Sequence, residues 1–369
     1  MFKVNLEYLR RKSSQRYIPE IDALRFFAII PVMLVHFSGA LLTYNENFDR
    51  AVIDQENAFR HALITGNTGL YLFFAISGFI LTLPFIAKDR SQFRFKNYYL
   101  RRLVRIEPPY LIAITMFFVV HIALGEKSIE FLFERYLASF FYVSMMIYEA
   151  RPYILPVSTS LEIEIQFYLL MPLLLILLKL IDNKIWRGII YTLLLLSTYF
   201  INLFPFHELN DFMRFFLSGI IAADVYKHFE IRRHYIWDAV FIIALPLLFI
   251  IPNHFIMSIL LFLIIISSTH TVFLKRFLTG QLITIIGGMC YSLYLLHYPL
   301  FHLFMRLFTN KLSFFESFEA NYLFQATIFI PLSIVLISGY FILIEKPFMF
   351  LSQKVGRDKD KTIKSTETV

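Results

Sequence analysis

The chain has 369 residues and a formal net charge of +8, and 58% of its residues are hydrophobic while only 17% are charged. A soluble domain is about half apolar and about a quarter charged, so this composition excludes an ordinary soluble domain and indicates a protein surrounded by membrane lipid. The positive charge does not indicate nucleic-acid binding, because the basic residues flank apolar segments. The single cysteine, Cys290, excludes an intramolecular disulfide and a cysteine-based metal site, and we expect no metal.

Apolar segments follow one another along the chain after a polar, basic stretch at residues 1–20. An α-helix rises about 1.5 Å per residue and the bilayer core is about 30 Å thick, so ten of these segments can cross it or most of it. They are 21–44, 66–87, 103–124, 159–181, 187–205, 210–228, 236–252, 254–273, 281–308 and 322–350. Residues 1–20 lack the features of a cleaved secretory signal, so we expect the first span to remain as a signal anchor. An eleventh stretch, 132–148, is shorter and is interrupted by Ser139 and Ser144.

The charges of the loops decide whether 132–148 crosses the membrane. Basic residues mark cytoplasmic loops, and they are concentrated in the N-terminal segment, the loop after the second span and the C-terminal tail. If 132–148 does not cross, three further basic pairs also fall on the cytoplasmic side, whereas a crossing would place all three outside. These pairs are Lys184/Arg187, Arg232/Arg233 and Lys275/Arg276.

We therefore predict an all-α, polytopic transmembrane helical bundle with ten spans and both termini in the cytoplasm. The segment 132–148 is predicted to be re-entrant or interfacial at the outer side. The sequence contains no visible internal repeat, which predicts one membrane-embedded domain over residues 1–356. The charged residues 357–369 are predicted to form a disordered cytoplasmic tail.

Arg25 and His36 both lie in the first predicted span. Eleven residues are close to three helical turns, so both side chains lie on one face, about 16 Å apart along the axis. A cation at the cytoplasmic mouth and a near-neutral base deeper in the membrane suit a long thioester donor such as an acyl-coenzyme A. The alternatives are that Arg25 snorkels to the interface and that His36 makes an interhelical hydrogen bond.

A cluster of arginines precedes Pro108 and Pro109 in the third predicted span. Arg102 and Arg105 are three residues apart, so they share a face if the helix has begun there. Guanidinium groups hold phosphates through paired hydrogen bonds, which makes this a candidate site for nucleotide phosphates. The alternative is an orientation signal that binds anionic lipid.

Two carboxylates, Glu162 and Glu164, lie near the outer end of the fourth predicted span. Their spacing of two residues directs them to opposite faces of a helix, so they are not an obvious acid and base for one substrate. A carboxylate in the membrane is costly, and the alternative to a functional role is a hydrogen bond that fixes helix packing. For His297, in a tyrosine- and serine-rich helix, polar packing is the favoured interpretation.

These segments, taken in order, resemble the integral-membrane acyltransferase 3 family. Arg25 and His36 match its motif of an arginine, ten residues and a histidine, and Glu164 occupies the position of its glutamate in Ser-Leu-x-x-Glu-x-Gln-Phe-Tyr. The matching segments are 25–36, 69–79, 101–110, 160–168, 291–299 and 345–347. The chain departs from the family at Thr159, where tryptophan is common, and at Glu162, where a small residue is usual. A counterpart of the extracytoplasmic esterase-like domain of some members is lacking, so a stand-alone form is expected.

The resemblance implies a multi-pass enzyme of the cell (inner) membrane. It implies an acyl-coenzyme A donor, with acetyl-CoA as the default, and a carbohydrate hydroxyl at the outer side as the acceptor. His36 would act as general base, because an unperturbed histidine has a pKa of about 6.5. Arg25, Arg102 and Arg105 would hold the donor phosphates, and Glu164 would orient the base or the acceptor.

Two other classes of membrane protein also contain many apolar spans and buried polar groups. One is a non-catalytic transporter or flippase for a lipid-linked or acylated glycan, although transporters often contain internal repeats. The other is a glycosyltransferase that uses a polyprenyl-linked donor, which usually has acidic residues in sizeable hydrophilic loops. The loops here are short and their acidic residues are scattered. A requirement for coenzyme A would separate the acyltransferase from both.

Overall fold

The computed structural model describes residues 17–86, 95–125, 127–179, 181, 183–201 and 207–355. Every regular element among them is a helix, which confirms the all-α prediction. The α-helices are α1 (Pro19–Tyr44), α2 (Arg50–Glu56), α3 (Ala58–Ile64), α4 (Gly69–Ile86), α5 (Phe95–Leu124), α6 (Ile129–Phe140), α7 (Ser144–Tyr148), α8 (Thr159–Lys179), α9 (Lys184–Ser197), α10 (His207–His228), α11 (Tyr235–Ile250), α12 (His254–His270), α13 (Lys275–Leu278), α14 (Gln281–Gly288), α15 (Cys290–Phe308), α16 (Phe318–Tyr340) and α17 (Lys346–Lys354). Short 3₁₀ helices span Thr65–Thr68, Pro156–Ser158 and Asn310–Leu312, and a π-helix spans Phe341–Glu345.

Within the described residues, four helical segments are long and apolar enough to cross a membrane. They are Pro19–Tyr44, Ala58–Ile86, Phe95–Leu124 and Phe318–Lys354. The bent pair α14 and α15 would be a fifth if it is counted as one span, while α11 and α12 are apolar but shorter. Each of the ten predicted segments contains a helix, but the count of ten and the cytoplasmic location of both termini stay predictions. Residues 1–16, 88–94 and 357–369, which carry many of the basic charges and the predicted disordered tail, lie outside the described residues.

Helix α1 lies at the centre of the bundle, where it contacts α4, α12, α14, α15 and α16. Such central placement explains why many of its residues are buried along its whole length, including the polar side chains of Asp22, Arg25 and Ser38. Lipid does not drive apolar faces together, so close contact between helices depends on small residues and interhelical hydrogen bonds.

Glycines bring α4 and α10 into backbone contact. A Cβ added at Gly219 in α10 would overlap the carbonyl oxygen of Ala75, and one added at Gly78 in α4 would overlap the carbonyl oxygen of Phe216. Neither overlap can be relieved by turning a side chain, because both partners are backbone atoms. The two helices therefore require glycine at both positions.

The change Gly219→Ala is expected to destabilise the protein by about 1–3 kcal/mol, the usual cost of overpacking. The loss of stability would be measured by heating the protein in detergent and recording the fraction that remains monodisperse at each temperature. Gly188 in α9 is the matched control, because a Cβ there meets nothing within 4 Å. Equal thermal stability of Gly219→Ala and Gly188→Ala would contradict the backbone contact between α4 and α10.

The predicted span 281–308 is not one straight helix, because it consists of two helices that meet at a bend of 72°, and its crossing of the membrane stays a prediction. Gly287, near the end of α14, lies so close to α1 that a Cβ there would overlap the carbonyl oxygen of Asp22. The break exposes backbone N–H groups at the start of α15, and these need acceptors. Glu345 supplies one from the π-helix, since its Oε2 accepts from the backbone N of Ser292 at 3.0 Å and from its Oγ at 2.5 Å.

The segment 132–148 folds as two short helices, α6 and α7, joined by Tyr142 in the left-handed region at φ 57°. The longer one, α6, is about 18 Å long, too short to cross a core of about 30 Å. The start of α7 is held by Glu162 of α8, whose carboxylate accepts from the backbone N of Ser144 at 3.3 Å and of Met145 at 3.0 Å. The outer-side location of this segment stays a prediction.

Candidate active site

Five helices meet around one cavity, and each contributes a polar side chain to it. These are α1, α4, α5, α8 and α15. The polar side chains that line the cavity are Arg25, Ser77, Arg102, Arg105, Ser160, Glu164, Tyr168, Cys290, Tyr291 and Tyr294. Arg25 and Tyr294, which are 269 positions apart in sequence, thus line the same cavity.

Three arginines that the sequence singles out, Arg25, Arg102 and Arg105, are brought together here. Arg25 is only 8% exposed and forms an ion pair with Asp22 one turn earlier on α1, which does not fit a side chain that snorkels to the interface. Helix α5 begins at Phe95, earlier than predicted, so Arg102 and Arg105 both lie on formed helix and share a face.

Arg102 is held by aromatic rings as well as by its place on α5. Its guanidinium carbon lies 5.4 Å from the ring centre of Tyr168 and 6.0 Å from that of Tyr98. Cation–π contacts of this kind fix the orientation of a guanidinium without using its N–H donors. Those donors therefore stay available for an anionic ligand in the cavity.

Glu164 lines the same cavity from α8. Its Oε1 accepts hydrogen bonds from the hydroxyls of Ser77 and Tyr168. Its neighbour Glu162 is fully buried and points to α7, as the spacing of two residues predicts. Glu164 is therefore part of the cavity wall, whereas Glu162 fixes the packing of α7 against α8.

His36 is held against a second histidine, His297 of α15. His36 Nδ1 lies 2.7 Å from His297 Nε2, and His297 Nδ1 lies 2.7 Å from the carbonyl oxygen of Leu293. The rings of Tyr298 and His36 are perpendicular, with their centres 5.4 Å apart. His36 is not among the described residues that line the arginine cavity. The side chain that is hydrogen-bonded to His36 is therefore that of His297, whereas Glu164 accepts from Ser77 and Tyr168.

The family model described as an acyltransferase domain matches residues 18–345, which include all of these side chains. The chain belongs to the acyltransferase 3 family. It is similar to two proteins named O-acetyltransferase OatA, from Staphylococcus aureus strains NCTC 8325 and COL. Each is 25% identical over 335 residues, which cover 79% of this chain and 52% of the relative. The chain thus spans about half the length of these curated relatives, and no solved structure matches it.

The match covers most of this chain with a family model described as an acyltransferase domain, which favours an acyltransferase over the transporter and glycosyltransferase alternatives. The apolar helices and the family together make it a membrane protein. Within the described part of the chain, no group of three or more His, Cys, Asp or Glu side chains could hold a metal ion.

A buried arginine on the second candidate span was not predicted from the sequence. Arg60 is 6% exposed, donates to the Ser38 hydroxyl and pairs through Nε with Asp54 Oδ1 at 2.8 Å. Burial raises the pKa of the Asp54 carboxyl, but the hydrogen bond and charge of Arg60 outweigh this and leave the pKa below its usual value. Since Ser38 follows His36 by two residues, Arg60 places a fixed positive charge near that histidine.

His297 was the other residue missed as a functional candidate, because a histidine in a tyrosine- and serine-rich helix is typical of polar packing. The cost of an ionisable side chain in a membrane was the one signal that favoured a functional role. Its partner His36 is 261 positions away, and no local pattern relates the two.

Proposed function

We propose that this acyltransferase moves an acetyl group from acetyl-coenzyme A, bound from the cytoplasm, to a hydroxyl of an extracytoplasmic carbohydrate. The observation that carries the proposal is the convergence of three guanidinium groups, from α1 and α5, on one cavity. The proposed location is the cell (inner) membrane, with lipid around the bundle.

The donor site is proposed from charge. Three arginines and one carboxylate, Glu164, line the cavity, while Asp22 pairs with Arg25 and Glu345 acts on Arg105 from outside the lining. The lining itself therefore carries more positive than negative charge, which attracts an anion into a low-dielectric cleft. Coenzyme A carries a diphosphate and a further phosphate, and paired guanidinium donors match phosphate oxygens better than a lysine does.

The position of the transferred group is proposed from the geometry of α1. Arg25 and His36 lie on one face about 16 Å apart along the axis, a distance that the extended arm of coenzyme A can cover. With its phosphates at the arginines, the donor would present its thioester near His36. Glu164, Ser77 and Tyr168 would line the path between the two.

The chemical step uses His36 as a general base. As the acceptor oxygen attacks the thioester carbonyl, His36 takes the hydroxyl proton, and a new carbon–oxygen bond forms. The carbon–sulfur bond then breaks, the acetyl group stays on the acceptor, and the coenzyme A thiolate leaves and recovers a proton. The names of the relatives, O-acetyltransferase, support acetyl as the acyl group and oxygen as the acceptor atom.

The test uses membrane vesicles from cells that carry the gene, with cells lacking it as the control, and acetyl-coenzyme A labelled in the acetyl group. Label is expected to enter envelope glycan as an alkali-labile ester only when the protein is present. An excess of a coenzyme A analogue without the sulfur should compete. Labelling that the analogue does not reduce would count against coenzyme A as the proposed donor. Equal labelling of vesicles with and without the protein would also count against it and favour a transporter.

A further inference from the structure

The two histidine rings are arranged for a hydrogen bond in the plane of both rings. Their planes differ by 12°, and their centres are 5.0 Å apart while His36 Nδ1 and His297 Nε2 are 2.7 Å apart. For that N···N distance, 5.0 Å is close to the largest possible separation of the centres. The line between the nitrogens therefore runs outward from both rings, along the directions of a ring N–H and a ring lone pair.

The backbone assigns the direction of this hydrogen bond. The carbonyl oxygen of Leu293 can only accept, so His297 Nδ1, at 2.7 Å, carries a hydrogen and donates it. In a neutral imidazole the other nitrogen is then a lone pair, so His297 Nε2 accepts. His36 Nδ1 must therefore donate, which leaves His36 Nε2 unprotonated.

The surroundings favour two neutral rings. His297 is fully buried, and among the described residues the side chains that bond to or pack against the two rings include no carboxylate. The nearby charged side chain that the hydrogen bonds locate is Arg60, which is positive and donates to Ser38, two residues after His36. A cationic imidazole at this partly buried position would have no carboxylate among these described contacts to balance its charge, which is costly.

We propose that His297 is a positioning residue, which holds His36 in the tautomer that presents the Nε2 lone pair to the acceptor hydroxyl. This inference rests on the proposed function. In many enzymes a carboxylate performs this task by accepting from the other nitrogen of the catalytic histidine. Here a neutral imidazole accepts instead, and its own tautomer is set by a main-chain carbonyl one turn earlier on α15.

The arrangement also accounts for the proton during transfer. When His36 Nε2 takes the hydroxyl proton, the ring becomes an imidazolium that already has its Nδ1–H bonded to His297 Nε2. The charge is partly stabilised there, while the proton gained at Nε2 remains free to pass to the leaving thiolate. No proton needs to cross from His36 to His297.

Two amide substitutions separate the two hydrogen bonds of His297. In His297→Gln the amide oxygen can reach the place of Nε2 and accept from His36. In His297→Asn the shorter amide can reach the place of Nδ1 and donate to the Leu293 carbonyl, but it leaves His36 Nδ1 without an acceptor. Both substitutes are polar amides of similar size, so each serves as the folding control of the other.

With labelled acetyl-coenzyme A, His297→Asn is expected to lower kcat about 100-fold, the low end of what a general base contributes. Its KM for the donor should match the wild type, because His297 does not line the arginine cavity. His297→Gln should retain kcat within about tenfold of wild type, the value of one neutral hydrogen bond. Equal rates of the two variants, or a wild-type kcat in His297→Asn, would overturn the positioning role.

A second measurement does not depend on turnover. In protein labelled with ¹⁵N at histidine, solid-state NMR separates protonated from unprotonated ring nitrogens, and the signals lost in His36→Gln identify His36. A protonated Nδ1 and an unprotonated Nε2 at His36 are expected, and the opposite tautomer would refute the inference. If the tautomer is found but the wild type transfers no label from acetyl-coenzyme A, the proposed donor is wrong while the arrangement of the rings stands.

Discussion

The change His36→Ala is expected to lower acyl transfer about 10²–10⁴-fold, which is the contribution of a general base to a proton-transfer step. The acceptor hydroxyl would then attack without a group to remove its proton. The KM for acetyl-coenzyme A should stay unchanged, because the proposed phosphate site is the arginine cavity, which His36 does not line. Initial rates of label transfer, at matched amounts of protein in the membrane, would measure the effect.

A matched control is available in His270, a buried histidine that lies at the end of α12 and contacts Trp237 and Tyr226. His270→Ala removes an imidazole that is more buried than that of His36 and should keep transfer near the wild-type rate at matched abundance. Full activity of His36→Ala would remove this residue from the chemistry. Equal losses in both variants would point to a general effect of losing a buried imidazole.

The changes Arg102→Ala and Arg105→Ala are each expected to raise the KM for acetyl-coenzyme A about 10- to 100-fold. A hydrogen bond to a charged group contributes about 1.5–3 kcal/mol, and 1.4 kcal/mol corresponds to a factor of about ten. Arg102→Lys should restore little of the affinity, because lysine lacks the planar pair of donors. Titration of the rate with labelled donor would give KM and kcat separately.

Arg101 is the matched control for this pair, since it lies on the same helix but donates to the carbonyl oxygen of Val355 at 3.0 Å. It does not line the cavity, so Arg101→Ala should leave the KM for the donor unchanged. If the three alanine variants raise KM equally, the effect reflects the overall charge of this surface, and specific phosphate binding at Arg102 and Arg105 is excluded.

The sequence by itself determined where this protein forms helices and which ionisable side chains those helices contain. Long apolar segments predict helices because backbone groups in lipid must bond within their own segment, and a helix satisfies them between residues four apart. The spacing of Arg25 and His36 on one face, and the separation of Glu162 from Glu164, follow from the same helical geometry. Cavity residues Arg25, Arg102, Arg105 and Glu164 were all singled out by this reasoning.

Tertiary structure alone decided which of these side chains meet. The bond between His36 and His297, the carboxylate of Glu162 at the start of α7 and the bend between α14 and α15 all join residues from different helices. Such contacts depend on how closely two helices approach, which is set by backbone contacts such as that of Gly287 with Asp22. A helical period describes only the faces of one helix, so it could place His297 in a span but could not place it against His36.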